Sequence, residues 1–213
     1  MAVVKNEQGR DILLNMVKAI QDNKQYLGDV DGLIGDGDHG MNMNKGFTIY
    51  GEQLGDNSTT FTDGLFELGQ VLLNKIGGSM GPIYGTVFME MSDRGEEAEE
   101  IDLPLFTAMM EAGLEGLYSI VDARPGDKTL VDTLFPAVEA LKAAQAQGKD
   151  FPAALQDMVE AARQGKDSTK DLVAKYGRSS RLGERSRGVL DAGATSCFII
   201  LEAMANGMQK AMA

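Results

Sequence analysis

With one cysteine in 213 residues, the chain has no pair for an intrachain disulfide. Basic residues are also scarce: 20 Lys and Arg stand against 32 Asp and Glu, a net charge of −12. So acidic a chain offers nothing to a phosphate backbone or to an anionic membrane surface. Neither nucleic acid nor membrane is expected as a partner. No apolar run approaches the roughly 18 residues of a membrane-spanning helix. The N-terminal Met1-Ala-Val-Val-Lys-Asn-Glu-Gln lacks the order of a signal peptide. A cytoplasmic location is therefore expected. Sustained two-residue alternation, the mark of a half-buried strand, is missing too. What is present is 43% hydrophobic and 24% charged residues, a globular composition. The length suits a single domain over 1–213.

The apolar content is of helical type. Ala, Leu and Met total 56 residues, while Val and Ile total 22, a ratio that favours helix over sheet. Leu13, Val17, Ile20 and Leu27 recur on or near one helical face, as do Leu65, Leu68, Leu72 and Ile76. Breakers divide the chain into eight helical stretches: 7–27, 41–54, 62–76, 82–94, 103–122, 129–147, 152–175 and 194–211. Asp102 ahead of Pro104 and Asp150 ahead of Pro152 read as N-caps with proline in the first turn. Long helices with short connections predict antiparallel neighbours, hence an all-α up-and-down bundle or barrel. Cys197 falls in the last apolar helix and reads as a small buried hydrophobe. Segment 90–102 holds seven carboxylates and one Arg and reads as a solvated loop.

Three connections are richer in chemistry than plain turns. Segment 28–40 has five glycines and four aspartates in thirteen residues. Asp31, Asp36 and Asp38 lie within it, and three crowded carboxylates repel unless a cation neutralises them. Oxygen donors without thiolates suit Mg²⁺ or Ca²⁺ rather than zinc. By letters, Gly35-Asp-Gly-Asp-His-Gly40 is a G-x-G-x-x-G, but no βαβ unit surrounds it, so a dinucleotide fold is rejected. Counted from Asp36, an EF-hand loop would need Gly where Met41 stands. The second connection, Gly77-Gly78-Ser79-Met80-Gly81, precedes a helix starting near Pro82, and a helix N-terminus is a natural phosphate site. The third, 176–193, carries Arg178, Arg181, Arg185 and Arg187, donors suited to phosphate oxygens. Together they read as a metal–polyphosphate site of the kind phosphoryl transfer requires. His39, the single histidine, reads equally as a structural residue or as a nucleotide contact. No nucleophile-elbow motif accompanies it, which disfavours a Ser/His/Asp hydrolase.

At these residues the chain resembles the nucleotide-binding L subunit of dihydroxyacetone kinase (DhaL), also found as the C-terminal domain of single-chain dihydroxyacetone kinases. The matching stretches are Ile34-Gly-Asp-Gly-Asp-His-Gly40, Asn42-Met-Asn44, Gly77-Gly78, Gly81-Pro82, Pro125-Gly-Asp-Lys-Thr129, Leu182-Gly-Glu-Arg-Ser186 and Asp191-Ala-Gly-Ala-Thr-Ser196. The resemblance implies a barrel of eight antiparallel up-and-down helices with nucleotide at one end. It implies that Asp31, Asp36 and Asp38 hold two Mg²⁺ ions against the phosphates of ADP or ATP, and in this sense carry catalysis. It places His39, Asn42, Gly78, Ser79, Thr129, Leu130, Arg178, Asp191 and Gly193 around the nucleotide. It implies a phosphoryl-donor subunit, active only with a separate substrate-binding K subunit. A phosphotransferase-system phosphodonor protein and a transcription regulator are further implied partners, the latter for a regulatory module without its own catalysis. Relatives commonly carry Gly-Gly-Ala-Ser-Gly-Pro where this chain has Gly77-Gly-Ser79-Met80-Gly-Pro82, so the hydroxyl is moved by one residue. Val121 replaces a Gly and Leu130 a Met found in relatives. These departures suggest a branch acting on a different small ketose, such as a tetrulose.

Overall fold

The computed structural model describes residues 2–213. It is mostly helical. The α-helices are α1 (Gly9–Asp22), α2 (Lys24–Gly32), α3 (His39–Leu54), α4 (Phe61–Lys75), α5 (Met80–Gly95), α6 (Leu103–Ile120), α7 (Val131–Ala146), α8 (Phe151–Ser168) and α9 (Ala192–Met212). Short 3₁₀ segments at Asn6–Gln8, Thr169–Asp171 and Arg178–Ser186 complete the helical set. Both expected proline-led starts form: Asp102 accepts from Leu105 N at 2.9 Å and Asp150 from Ala153 N at 2.8 Å.

The structure corrects the expected boundaries at four places. The stretch 7–27 is not one helix. It breaks at Asn23, whose side chain bonds back to Ala19 O at 2.9 Å and whose ψ of 8° leaves the helical basin. A second helix, α2, then runs through Gly32, so Asp31 stands on a helical turn rather than in a loop. The last part of 152–175 unwinds after Ser168 into the 3₁₀ turn Thr169–Asp171. The acidic stretch 90–102 is only partly loop: α5 continues to Gly95, and two short strands pair, β1 (Val4–Lys5) with β2 (Glu100–Ile101), antiparallel. Two-residue strands are too short for alternation to reveal.

From α3 onward each helix packs on the next through α9, and α1 packs on both α9 and α3. The helices thus enclose one apolar core, with Ile12, Met16, Phe47, Phe61, Leu68, Phe106, Leu134, Leu155 and Met204 buried within it. Each such side chain contributes roughly 2 kcal/mol by leaving water. Met16, Met43, Met91, Met109, Met110, Met158, Met204 and Met208 are all buried, filling the irregular gaps between helices as flexible thioethers do. Cys197 is buried as expected, and burial pushes its thiol pKa up.

Candidate functional site

Helices α3, α5, α7 and α9 all begin at one end of the molecule, and hydrogen bonds join their first turns. His39 Nε2, on α3, lies 2.9 Å from Ser196 Oγ on α9. Ser196 Oγ lies 2.7 Å from the Tyr84 hydroxyl on α5. Tyr84 also donates to Gly193 O at 3.2 Å. On α7, Thr133 donates to Ala194 O at 3.0 Å. Four helix N-termini therefore present their unpaired N–H groups to the same region.

The carboxylates stand at this end. Asp31 occupies the last turn of α2, Asp36 the exposed crest of the turn, and Asp38 the N-cap position of α3. One ligand oxygen from each lies within 4.8 Å of the others. On an octahedral Mg²⁺, with oxygens at about 2.1 Å, opposite ligands are about 4.2 Å apart. The cluster is thus of the size of one ion's shell. The Asp38 side chain does not cap its own helix, which leaves its oxygens free to ligate. Local backbone explains the crowding. Asp31 O accepts from Gly35 N at 2.6 Å, and a Cβ on Gly35 would lie 2.2 Å from Asp31 Oδ1. Only glycine lets the carboxylate fold over this turn. The residues present fit a divalent cation.

Cationic and donor groups surround the cluster. Arg178, at the start of the 3₁₀ segment Arg178–Ser186, pairs with Asp36 and so brings the third connection onto the first. Ser79 is exposed at the N-cap of α5 with no side-chain cap bond, while Met80 packs against the core. The shifted hydroxyl of this chain therefore faces solvent at a helix N-terminus. Gly78 has φ +72° and open space around its Cα. No hydrogen bond joins 77–79 directly to the carboxylates among the described residues; the link runs through Tyr84. Thr129 is held by its N–H on Asp132 Oδ2 at 2.7 Å, and Leu130 stands at the N-cap position of α7, its Cβ 3.5 Å from where a Cβ of Gly193 would stand. Asp191 caps α9 by accepting from Ala194 N at 2.7 Å. Asn42 sits half-buried in the first turn of α3. All twelve residues singled out in the sequence thus gather at one end.

Tyr84, Ser196 and Lys128 were not among them. Ser196 lies in a quoted stretch, five residues beyond Asp191. Tyr84 lies one turn beyond the glycine-rich connection and reads from sequence as ordinary core.

Two titrations oppose each other here. Burial pushes His39 down to about 4, against a smaller upward pull from Asp31. Burial pushes Asp191 up to about 6, with the Ala194 N–H and Lys128 pulling the other way and Asp132 and Asp31 adding repulsion. His39, at 6.5 when unfolded, contributes stability that is full above 6.5 and lost as pH falls to 4. Asp191, at 3.8 when unfolded, contributes stability that is full below 3.8 and lost as pH rises through 6. Between pH 4 and 6 the two cancel in the metal-free protein. Asp191→Asn keeps a capping side chain but removes the opposing group. Relative to wild type, its stability should then fall by about 1.4 kcal/mol per pH unit on going from pH 6 to 4. Urea denaturation across that range checks this, and parallel profiles for the two proteins would contradict it.

A surface groove of about 390 Å³ lies elsewhere, between α1, α2, α8 and α9. Its Asn15 and Asn23 amides are already bonded to Ala203 O and Ala19 O. No helix is long and apolar enough to cross a membrane among the described residues.

Comparison with known proteins places the chain in a family. The DAK2 domain family matches residues 33–206. The ADP-binding subunit DhaL of PEP-dependent dihydroxyacetone kinase 1 from Listeria innocua is 41% identical over 186 residues, covering 87% of this chain and 88% of that one. The ADP-binding subunit DhaL of the PEP-dependent dihydroxyacetone kinase of Escherichia coli is 37% identical over 184 residues, covering 85% and 87%. The crystal structure of the dihydroxyacetone kinase from C. freundii with AMP-PNP and Mg²⁺ superposes with a TM-score of 0.69 at 21% identity. That match covers 93% of this chain and 33% of the larger protein, so this chain spans about a third of its length. The chain belongs to the DAK2 domain family, in the group of the DhaL subunits of dihydroxyacetone kinases.

Proposed function

We propose that this chain is the ADP/ATP- and Mg-binding phosphoryl-donor subunit of a dihydroxyacetone or related small-ketose kinase. The observation that carries the reading is the meeting of Asp31, Asp36 and Asp38 with Arg178 at an end where four helices begin. The three carboxylates would hold two Mg²⁺ ions, whose four positive charges exceed the three negative ones and leave attraction for phosphate. When bound, the ions would draw charge from the transferred phosphoryl group and orient it. Arg178 would move from Asp36 towards phosphate oxygens, which it can grip with two parallel bonds. Ser79 and the N-terminus of α5 would supply donors to the phosphates. Leu130 and Gly193 would form an apolar wall against the base, with Thr129, Asn42, His39 and Asp191 around the nucleotide. We read the helices α1 and α3 to α9 as an eight-helix up-and-down barrel within a single domain, with α2 as the added turn that delivers Asp31.

The substrate would sit on a separate K subunit, as the subunit names of the relatives suggest. Exposed Leu33, Met41 and Tyr176, each within a few residues of a proposed ligand, support a partner covering this end. The names of the relatives, PEP-dependent and PTS-dependent kinases with an ADP-binding subunit, support ADP as a resident group recharged by a phosphotransferase-system phosphodonor protein; a cytoplasmic location belongs to the same reading. The test is reconstitution with a K subunit on dihydroxyacetone and on a tetrulose, supplied with either a phosphoprotein donor system or ATP. Phosphorylated ketose formed only when all components are present is expected. No turnover with either donor on either ketose would overturn the reading, and a clear triose preference would remove the tetrulose branch.

A further inference from the structure

Lys128 is a buried cation with no carboxylate in direct contact, although Asp191, Asp132 and Asp171 lie near enough to attract it. Its side chain is 1% exposed, and it forms no ion pair among the described residues. It is also the one non-glycine residue with positive φ among them, at 60°, a conformation that costs about 1 kcal/mol or more outside glycine. Burying an ammonium is expensive unless its protons are matched. Here the partners are two backbone carbonyls, Thr169 O and Val189 O, each at 2.5 Å.

Those carbonyls lie on opposite limbs of the segment 169–191, which carries Arg178 at its tip. The limbs are joined below the tip by Asp191 N on Thr169 Oγ1 at 3.0 Å, Gly188 N on Lys170 O at 2.7 Å and Ala174 N on Ser186 Oγ at 2.9 Å. The segment buries little apolar surface of its own: Ala174 is its only buried hydrophobic residue. Its tip is hinged by Gly177 and Gly183, at φ +70° and +54°. A strap with so little packing takes its position from its stem and from Lys175, whose N–H and ammonium bond Asp127 at 3.2 and 2.5 Å.

We propose that Lys128 is a positioning residue, whose ammonium staples the two limbs of the strap and so sets where Arg178 stands over the carboxylates. For its ligand this rests on the phosphoryl-donor reading; for the staple itself it does not. A strained, buried lysine is difficult to explain by local stability, because a glycine here would avoid both costs. It is explained if the two limbs must be held together at that point.

The test uses the full chain with two readouts. In hydrogen exchange without nucleotide, Lys128→Met should speed amide exchange across 172–188 by about tenfold or more while α4 and α5 stay unchanged. Lys128→Arg should restore part of the protection. In MgADP titrations, Lys128→Met and Arg178→Ala should each weaken binding by about tenfold, the scale of a charge-assisted hydrogen bond, and the double variant by little more than either single change. Unchanged exchange in the strap, or single losses that multiply to about a hundredfold, would overturn the proposal. A wild-type chain that ignores MgADP would overturn the donor reading instead and leave the exchange result to judge the staple. Should Lys128→Met fail to fold, Lys128→Gln, which keeps one amide donor, carries the same two readouts.

Discussion

Asp36→Asn is expected to weaken Mg-dependent ADP binding by more than about tenfold while barely moving thermal stability. Two unit charges 4 Å apart attract by about 4 kcal/mol at an effective dielectric of 20, and a divalent ion doubles that. If only a quarter of this survives relaxation and water entry, the loss still exceeds the 1.4 kcal/mol of a tenfold change in affinity. The fold should not suffer, because Asp36 sits at the exposed crest of its turn and its pairing with Arg178 is a surface ion pair, worth about 1 kcal/mol at most. Calorimetric titration with MgADP and a thermal melt on the same samples separate the two effects. Near-unchanged binding would remove Asp36 from the metal site.

Gly40→Ala is expected to act on stability and site together. A Cβ there would lie 2.0 Å from Lys24 O and 2.6 Å from Gly28 N, both backbone atoms of α2. Neither can turn aside as a side chain would, so α2 and α3 must separate. Overpacking of this kind costs about 3 kcal/mol, which for a domain of this size lowers Tm by roughly 6–12 °C. The same separation moves Asp31, on α2, away from Asp38 and His39, at the start of α3, so Mg-dependent nucleotide affinity should fall too. Gly78→Ala is the control for stability. It meets no neighbouring atom and suffers only from its φ of +72°, a cost of about 1 kcal/mol. Equal Tm losses in the two variants would contradict the account of the α2–α3 contact.

Much of this was legible in the sequence because it is written in local chemistry. Asp102 and Asp150 announce their helices by capping, and each cap is made by a residue three positions away. The three glycine- and charge-rich connections differ visibly from ordinary turns, and they do converge. What escaped depends on contacts between distant segments. The break at Asn23 keeps the apolar periodicity running through it, so the pattern 13, 17, 20, 27 reads as one helix although α1 and α2 are separate. Asp31 looks like a loop residue because Gly28 and Gly32 flank it, yet the packing of α2 on α3 and α9 holds that stretch helical against its weak propensity. Tyr84 and Ser196 meet across 112 positions, and nothing near either residue signals it. Lys128 lies in the matching stretch Pro125–Thr129, but its two carbonyl partners are 41 and 61 positions away and nothing local signals them.

The most direct measurement is native mass spectrometry of the purified chain, with any released nucleotide identified, before and after addition of Mg²⁺ and ADP. One ADP per chain accompanied by two Mg²⁺, lost together when a chelator is added, is the expected result. A chain that stays free of nucleotide with Mg²⁺ and either ADP or ATP in excess would contradict it, and the aspartate cluster would then need another purpose.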